Sequence, residues 1–376
     1  HPALRCKEKN ISDYQDKISK IMPENEVNEE MNEYIGINEI DPRNKYHLAP
    51  EECTPDDSEK MKEYIMNCKK LGKYIIRDLN YDKSYKLILM KYGGPDLKKF
   101  FQPNMENTPD NRERISNFWE DALDLFKAVK LFLDNGLIHH DLKPDNFVYN
   151  EEKNSLKVID FGLLKKKEFI TQESKNSSYG FSMFWFNFPP EMYFYNKKVY
   201  DNIKAFNKSK YNPDDIYERI RVYFRGKNQV DYTESINFLM GFIKSESLHP
   251  YIRYDNANYF LDFVDYTVSP EKMSHTEFLK KSIDTIDSYG LGMTLLFVLV
   301  RVHHLMEKDL VLELHTLFLK MFHPDLRKRI HINDALREYN KIITPPLHSK
   351  NGGTKKKRKH KKRHNKKNKK SIRRHL

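Results

Sequence analysis

Residues 137–162, LIHHDLKPDNFVYNEEKNSLKVIDFG, decide how the rest of the chain is read. Two short apolar runs, Phe147–Tyr149 and Leu156–Ile159, flank the polar turn Asn150–Ser155. That pattern predicts a β-hairpin. Asp141, Lys143 and Asn146 stand just before the hairpin, and Asp160 ends its second strand. Two carboxylates, an ammonium and an amide are thus gathered around one short structural unit.

Phosphoryl transfer from ATP needs such a set. One carboxylate orients the attacking hydroxyl, a cation offsets charge on the moving phosphoryl, and an amide and a second carboxylate hold Mg²⁺. The stretch closely resembles the catalytic loop and D-F-G segment of protein kinases, H-R-D-L-K-P-x-N followed by D-F-G. His139–Asn146 departs from that pattern mainly at His140, where Arg is usual, and Asp160-Phe161-Gly162 follows 14 residues after Asn146. The resemblance implies an α+β, bilobal kinase-like fold, with a β-rich small lobe and a mainly helical large lobe. It implies ATP and Mg²⁺ as cofactors, Asp141 and Lys143 as catalytic residues, and Asn146 and Asp160 as the metal ligands. The lysine two residues after the aspartate looks like the Ser/Thr subclass, so the implied partner is a protein substrate presenting a Ser or Thr hydroxyl.

The chain has 376 residues, enough for one large or two modest domains. Residues 345–376 hold 11 Lys, 4 Arg and no acid, which exceeds the net charge of +12 for the whole chain. The body is therefore near neutral and the basic character belongs to a tail. Three cysteines (Cys6, Cys53, Cys68) form an odd count without metal-ligand spacing, which predicts reduced thiols in an intracellular compartment. The apolar run near Leu291–Val302 reads as a buried helix too short to span a bilayer, so no transmembrane segment is expected.

Residues 1–90 read as a partial small lobe. Lys17–Met22 predicts a strand, and Pro23-Glu24-Asn25 opens a helix, with Pro and acids where helix starts favour them. Met31, Tyr34, Ile37 and Ile40 give that helix an apolar face. Kinases pair a strand lysine, which binds the α/β-phosphates, with a helix glutamate. Lys20 and Glu33, 13 residues apart, fit those roles, with Lys7 as the competing lysine. No G-x-G-x-x-G occurs in residues 1–92, and the start at His1 suggests that a phosphate loop lies upstream. Tyr74–Asp78 and Tyr85–Met90 read as two further strands. Lys91–Leu97 resembles the kinase hinge, which implies Met90, Lys91, Gly93 and Val148 around adenine.

Residues 91–343 read as hinge and large lobe. A helix over 110–135 buries Ile115, Phe118, Trp119, Ala122, Leu125, Phe126, Val129 and Leu133, and it holds the loop at His139. By resemblance, His139 packs under Phe161 and is structural. Phe188-Pro189-Pro190-Glu191 resembles A-P-E, and Glu191 is expected to pair with Arg327. A Ser or Thr at the usual distance before Glu191 is missing, and His140 removes the usual partner of a loop phosphate. Asp287 then begins the next landmark helix, 96 residues after Glu191, so residues 192–283 read as a helical insertion. The Pro2-Ala3-Leu4-x-Cys6 start, Ile40-Asp41-Pro42, the insertion and the Gly-Gly-plus-Lys tail together look like kinases of large DNA viruses.

Residues 344–376 read as a disordered Lys/Arg-rich tail. Lys355–Lys359 would serve as a nuclear import signal, or would meet nucleic acid or another anionic surface. Cytoplasm and nucleus both stay open. Two other readings stand beside the Ser/Thr kinase: a nucleotide-binding pseudokinase or scaffold, and a nucleic-acid-binding protein dominated by its tail.

Overall fold

The structure is a computed structural model, and it describes residues 4–8, 14, 16–59, 61, 63, 85–102, 105–176, 187–203 and 273–344. The expected strand Tyr74–Asp78, most of the expected insertion, and the basic tail lie outside these residues.

Strand β1 (Lys17–Pro23) ends at Pro23, whose fixed φ also opens helix α1 (Glu24–Ile40), with Glu24 and Glu26 in its first turn. Val27, Tyr34 and Ile37 are the buried residues of α1. After β2 (Glu51–Cys53), β3 (Tyr85–Lys91) supplies the continuous buried run Leu87-Ile88-Leu89. β3 is central in an antiparallel sheet of order β1-β3-β2, with Lys20 opposite Ile88 and Glu51 opposite Leu89. Central position and a fully apolar run go together, because such a strand is covered on both faces.

The free thiols expected from the cysteine count are corrected at one pair. The segment Leu4–Glu8 lies against residues 54–56, with Cys6 bridged to Pro55, Lys7 N–H bonded to Thr54 C=O, and Asp56 N–H bonded to Arg5 C=O. That docking brings the Cys6 and Cys53 Cα atoms to 5.8 Å, and the two residues form a disulfide. A count of cysteines could not show which segments meet.

The larger part is helical. α2 (Leu97–Phe100) follows the hinge-like segment. α3 (Pro109–Asp121) starts on a Thr108 side-chain cap, and α4 (Leu123–Asp134) continues it after a single turn at Ala122. Their buried faces carry the residues expected from the periodicity, except Leu133, which is only partly buried. β4 (Leu137–Ile138) leads into the loop at His139, and β5 (Phe147–Asn150) pairs with β6 (Ser155–Val158) as the expected hairpin. β7 (Lys165–Lys166) pairs back on β4, and α5 (Lys167–Lys175) follows it. α6 (Lys197–Ile203) and α7 (His275–Ile283) are the described ends of the expected insertion.

α8 (Ile286–Val302), α9 (Lys308–Met321) and α10 (Ile332–Ile343) complete the core. The apolar helical stretch is longer than the sequence run suggested. Residues 286–305 have the length and composition to cross a membrane, and 78% of that apolar window is buried inside the protein. α8 is apolar almost all round because α4, α9 and the loop that starts at His139 surround it. The mixed helices and small antiparallel sheets make an α+β fold with an incomplete sheet, in line with the fold that the resemblance implies.

Candidate active site

The loop 139–146 is built on α8. The backbone N–H groups of His139 and His140 donate to the Asp287 carboxylate at 2.8 and 2.9 Å. Burial raises the Asp287 carboxyl to about 7 against those two hydrogen bonds. Thr294 Oγ1 donates to Leu142 C=O at 3.0 Å. A Cβ on Gly290 would meet Leu142 at 3.1 Å, so the loop sits on the helix backbone where glycine leaves room.

Both histidines are buried and neutral. Burial lowers His139 to about 4, and burial together with Lys165 lowers His140 to about 3. The His139 ring lies 5.0 Å from Phe161, a packing contact rather than the post of a base. His140 takes a left-handed backbone (φ 68°), and its Nδ1 lies 3.2 Å from the Ile138 carbonyl and 3.1 Å from the Leu163 carbonyl. The imidazole thereby ties the loop to the chain just after Gly162.

Asp141 is buried and receives three side-chain donors. Lys143 Nζ lies 2.5 Å from its Oδ2, and Asn146 Nδ2 donates to Oδ2 and to the Asp141 carbonyl, each at 2.9 Å. Asn187 Nδ2 donates to Oδ1 at 3.1 Å. Pro144 starts the single 3₁₀ turn that turns Asn146 toward Asp141, and Ile159 N–H donates to Asn146 C=O at 3.0 Å. Asp160 takes a left-handed backbone (φ 63°) and is exposed.

The donor set fits Mg²⁺. Asn146 commits its N–H₂ to Asp141, which leaves the amide oxygen as its free end. Asp160 adds an exposed carboxylate, and hard oxygen ligands of this kind suit Mg²⁺.

Lys20 and Glu33 were expected to pair. Instead Lys20 Nζ bonds Glu30 Oε2 at 2.5 Å, one helical turn before Glu33. β1 runs into α1 through Pro23 without a loop, so a side chain at the middle of β1 reaches the first half of the helix. Glu33 is half-buried beside the Asp160-Phe161-Gly162 segment: a Cβ on Gly162 would lie 3.7 Å from both its carboxylate oxygens and 3.5 Å from Asp160 Oδ1. Burial first, then Glu30 and Asp160, push its carboxyl up to about 7. The competing Lys7 pairs instead with Asp57 at 2.8 Å.

The expected adenine residues come together in part. A Cβ on Gly93 would meet Val148 Cγ2 at 2.5 Å and Leu48 Cδ1 at 2.8 Å, so Gly93 packs directly on Val148. Gly94 has φ 96°, and a Cβ there would sit 2.0 Å from the Tyr149 carbonyl oxygen. Only glycine allows the segment to lie so close along β5, where Asp96 bridges Val148. Met90 is half-buried opposite Ile18, and Lys91 is exposed at the strand end opposite Lys17.

Glu191 pairs with Arg329, not with the expected Arg327. Both Arg329 terminal nitrogens bond the fully buried Glu191 carboxylate, and Ser282 Oγ donates to it at 3.2 Å. Arg327 instead forks onto Asp325 at 2.9 and 3.0 Å. The Lys328 and Arg329 N–H groups both bond Asp325 C=O, and the resulting turn sends the second arginine inward.

Sequence reasoning missed two further parts. Asp41 accepts hydrogen bonds from Lys45 N–H and Tyr46 N–H at 2.9 and 2.7 Å, and binds His47 Nδ1 at 2.9 Å. His47 Nε2 lies 2.8 Å from Asn38 Oδ1, and its ring is 6.1 Å from Phe161. This network clamps the end of α1 to the hairpin through Tyr46 C=O, which accepts Val158 N–H at 2.8 Å. The other missed residue is Asn187, which belongs to no motif. The absent Ser or Thr was its only signal.

Comparison with known proteins finds partial likenesses to protein kinases. A family profile described as "Protein kinase domain" matches residues 47–202. The "Probable serine/threonine-protein kinase mps1" of Dictyostelium discoideum is 36% identical over 88 residues, covering 23% of this chain and 8% of that protein. "Serine/threonine-protein kinase mph1" of Schizosaccharomyces pombe is 38% identical over 78 residues, covering 21% of this chain and 11% of the relative. "Dual specificity protein kinase TTK" of Mus musculus is 31% identical over 96 residues, covering 25% and 10%. The chain thus spans about a tenth of the length of the curated relatives it matches. The three relatives named are cellular proteins, and the likeness to viral kinases rests on the sequence motifs alone.

Proposed function

From the premise that this chain carries a eukaryotic-type protein kinase domain, we propose that it transfers the ATP γ-phosphoryl group to Ser or Thr hydroxyls of proteins. The convergence of Lys143, Asn146 and Asn187 on the buried Asp141 carries this reading. Asp141 accepts the proton of the attacking hydroxyl. Lys143, two residues away and already within the site, offsets charge on the transferred group. Asn146 and Asp160 would hold Mg²⁺, which supplies charge neutralisation between the phosphates. Gly93 and Val148 would line the adenine side. The oxygen–phosphorus bond to the acceptor forms as the bond to ADP breaks, and the hydroxyl proton passes to Asp141.

The test is incorporation of labelled γ-phosphate with Mg²⁺ into a generic Ser/Thr acceptor. Asp141→Asn should reduce transfer by ~10³-fold or more while ATP binding persists, because the lost group acts only on the reacting hydroxyl. Asp160→Ala should also abolish transfer. Equal activity in Asp141→Asn and the parent would remove Asp141 from the chemistry.

A second reading, nucleotide binding without transfer, is favoured by one observation. Lys20 is held by Glu30, not by the glutamate beside Asp160. Stoichiometric ATP binding with no transfer by the parent chain would select it.

A further inference from the structure

The two oxygens of Asp141 are not equivalent. Oδ2 already receives Lys143 and Asn146, at 2.5 and 2.9 Å. Oδ1 receives Asn187 alone among the described residues, at 3.1 Å. A carboxylate oxygen has about two lone-pair directions, so Oδ1 keeps one open for the acceptor hydroxyl. The group that orients Oδ1 is therefore Asn187.

The cost of that contact is visible. Asn187 is fully buried, and among the described residues its own Oδ1 has no hydrogen-bond partner. Its amide must turn N–H₂ toward the acceptor-only carboxylate, which strands the carbonyl oxygen in the interior. A side chain chosen for stability alone would be apolar here, because a buried unsatisfied acceptor is destabilising.

The backbone at Asn187 is held from two sides. Its carbonyl lies against Gly290, where an added Cβ would come within 3.4 Å. Four residues on, Glu191 is locked to Arg329. The amide thus reports to Asp141 whether this segment is docked on α8.

We propose that Asn187 is a positioning residue, which aims the open lone pair of Asp141 at the acceptor hydroxyl and makes the base depend on docking of segment 187–191. The inference rests on the kinase reading above. It assigns a role to a residue outside the catalytic-loop and D-F-G motifs.

The experiment compares the full chain with Asn187→Leu, a near-isostere without the donor, and Asn187→Thr, a shorter side chain with a hydroxyl donor. Expected for Asn187→Leu is a fall in kcat of about tenfold or more, with KM for ATP within about twofold and a melting temperature no lower than the parent's. Asn187→Thr should recover a large part of kcat. A merely structural asparagine would move kcat, KM and melting temperature together and would show no rescue by threonine.

If Asn187→Leu does not fold, Asn187→Asp keeps the shape but sets a second carboxylate against Asp141, and the same selective loss of kcat is expected. Parental kcat in a folded Leu or Asp variant overturns the proposal, as does a Thr variant no better than Leu. An inactive parent chain fells the kinase reading and this inference together. An active parent with an unaffected Asn187 variant fells this inference alone.

Discussion

His140 shows how one residue changes the chemistry of a loop. An arginine at that position stays charged, whereas the buried imidazole is neutral, lowered to about 3, and bonds the Leu163 carbonyl. Neutral hydrogen bonding thus links residues 138–141 to the chain after Gly162. The lowered value fixes a pH dependence. Unfolding frees His140 to bind a proton below about 6.5, its ordinary value, while the folded protein resists protonation down to about 3. The stability it confers is therefore present at neutral pH and is lost as pH falls between those limits, at up to about 1.4 kcal/mol per pH unit. His139 acts in the same direction, and Asp287, raised to about 7, acts in the opposite one, being destabilising as pH rises toward 7. Comparing the parent with His140→Gln isolates the one group. Denaturant unfolding between pH 4.5 and 6.5 should show the variant with the shallower loss of stability on acidification. Equal slopes would mean that His140 is protonated in the folded state. The Asp141-Lys143-Asn146 set was legible in sequence because its members lie within six residues of one another. Asn187 was not, because its partner lies 46 residues away.

At the scale of elements, the segment around Glu191 is secured to the turn before α10 through Arg329, with Ser282 of α7 as a third member. Sequence offered two arginines two residues apart, and only the turn around Asp325 decides which faces inward. This gives a paired prediction. Arg329→Ala leaves Glu191 buried without its cation and should cost about 3–5 kcal/mol. Arg327→Ala removes a pair whose arginine side chain is 43% exposed, and should cost about 1 kcal/mol or less. Chemical denaturation of both variants measures the difference, and the reverse order would reinstate Arg327 as the buried partner. The first helix teaches the same lesson. Periodicity marked Met31, Tyr34, Ile37 and Ile40 as its apolar face; Tyr34 and Ile37 are buried, whereas Met31 and Ile40 are only partly so. Which of Glu30 and Glu33 meets Lys20 depends on how the helix leaves Pro23, which periodicity does not encode.

For the whole molecule, the link with the longest consequence for the unfolded chain is the one between Cys6 and Cys53, separated by 47 residues. Closing a loop of that length lowers the entropy of the unfolded chain, and the chain-entropy relation gives about 4 kcal/mol at 25 °C. Melting of the full chain with and without reductant should show a clear loss of stability on reduction, and Cys53→Ser should melt like the reduced parent, with no further response to reductant. An unchanged melting temperature would mean that the N-terminal segment is held by its backbone hydrogen bonds alone. The sequence by itself determined the hairpin, the helices of the core and the resemblance of residues 139–162 to a kinase catalytic loop and D-F-G segment. Those features are written in local patterns: a period of two or 3.6, a proline or glycine at a chain turn, and chemical groups a few residues apart. Only the tertiary structure decided the Cys6–Cys53 link, the choice of Glu30 for Lys20, the choice of Arg329 for Glu191, the Asp41–His47 clamp on Phe161, and the placing of Asn187 on Asp141. Several of these join residues far apart in the chain, and the others choose between near neighbours. A side chain's partner is set by backbone direction and by which surfaces must exclude water, and neither is a property of the residues near it in sequence.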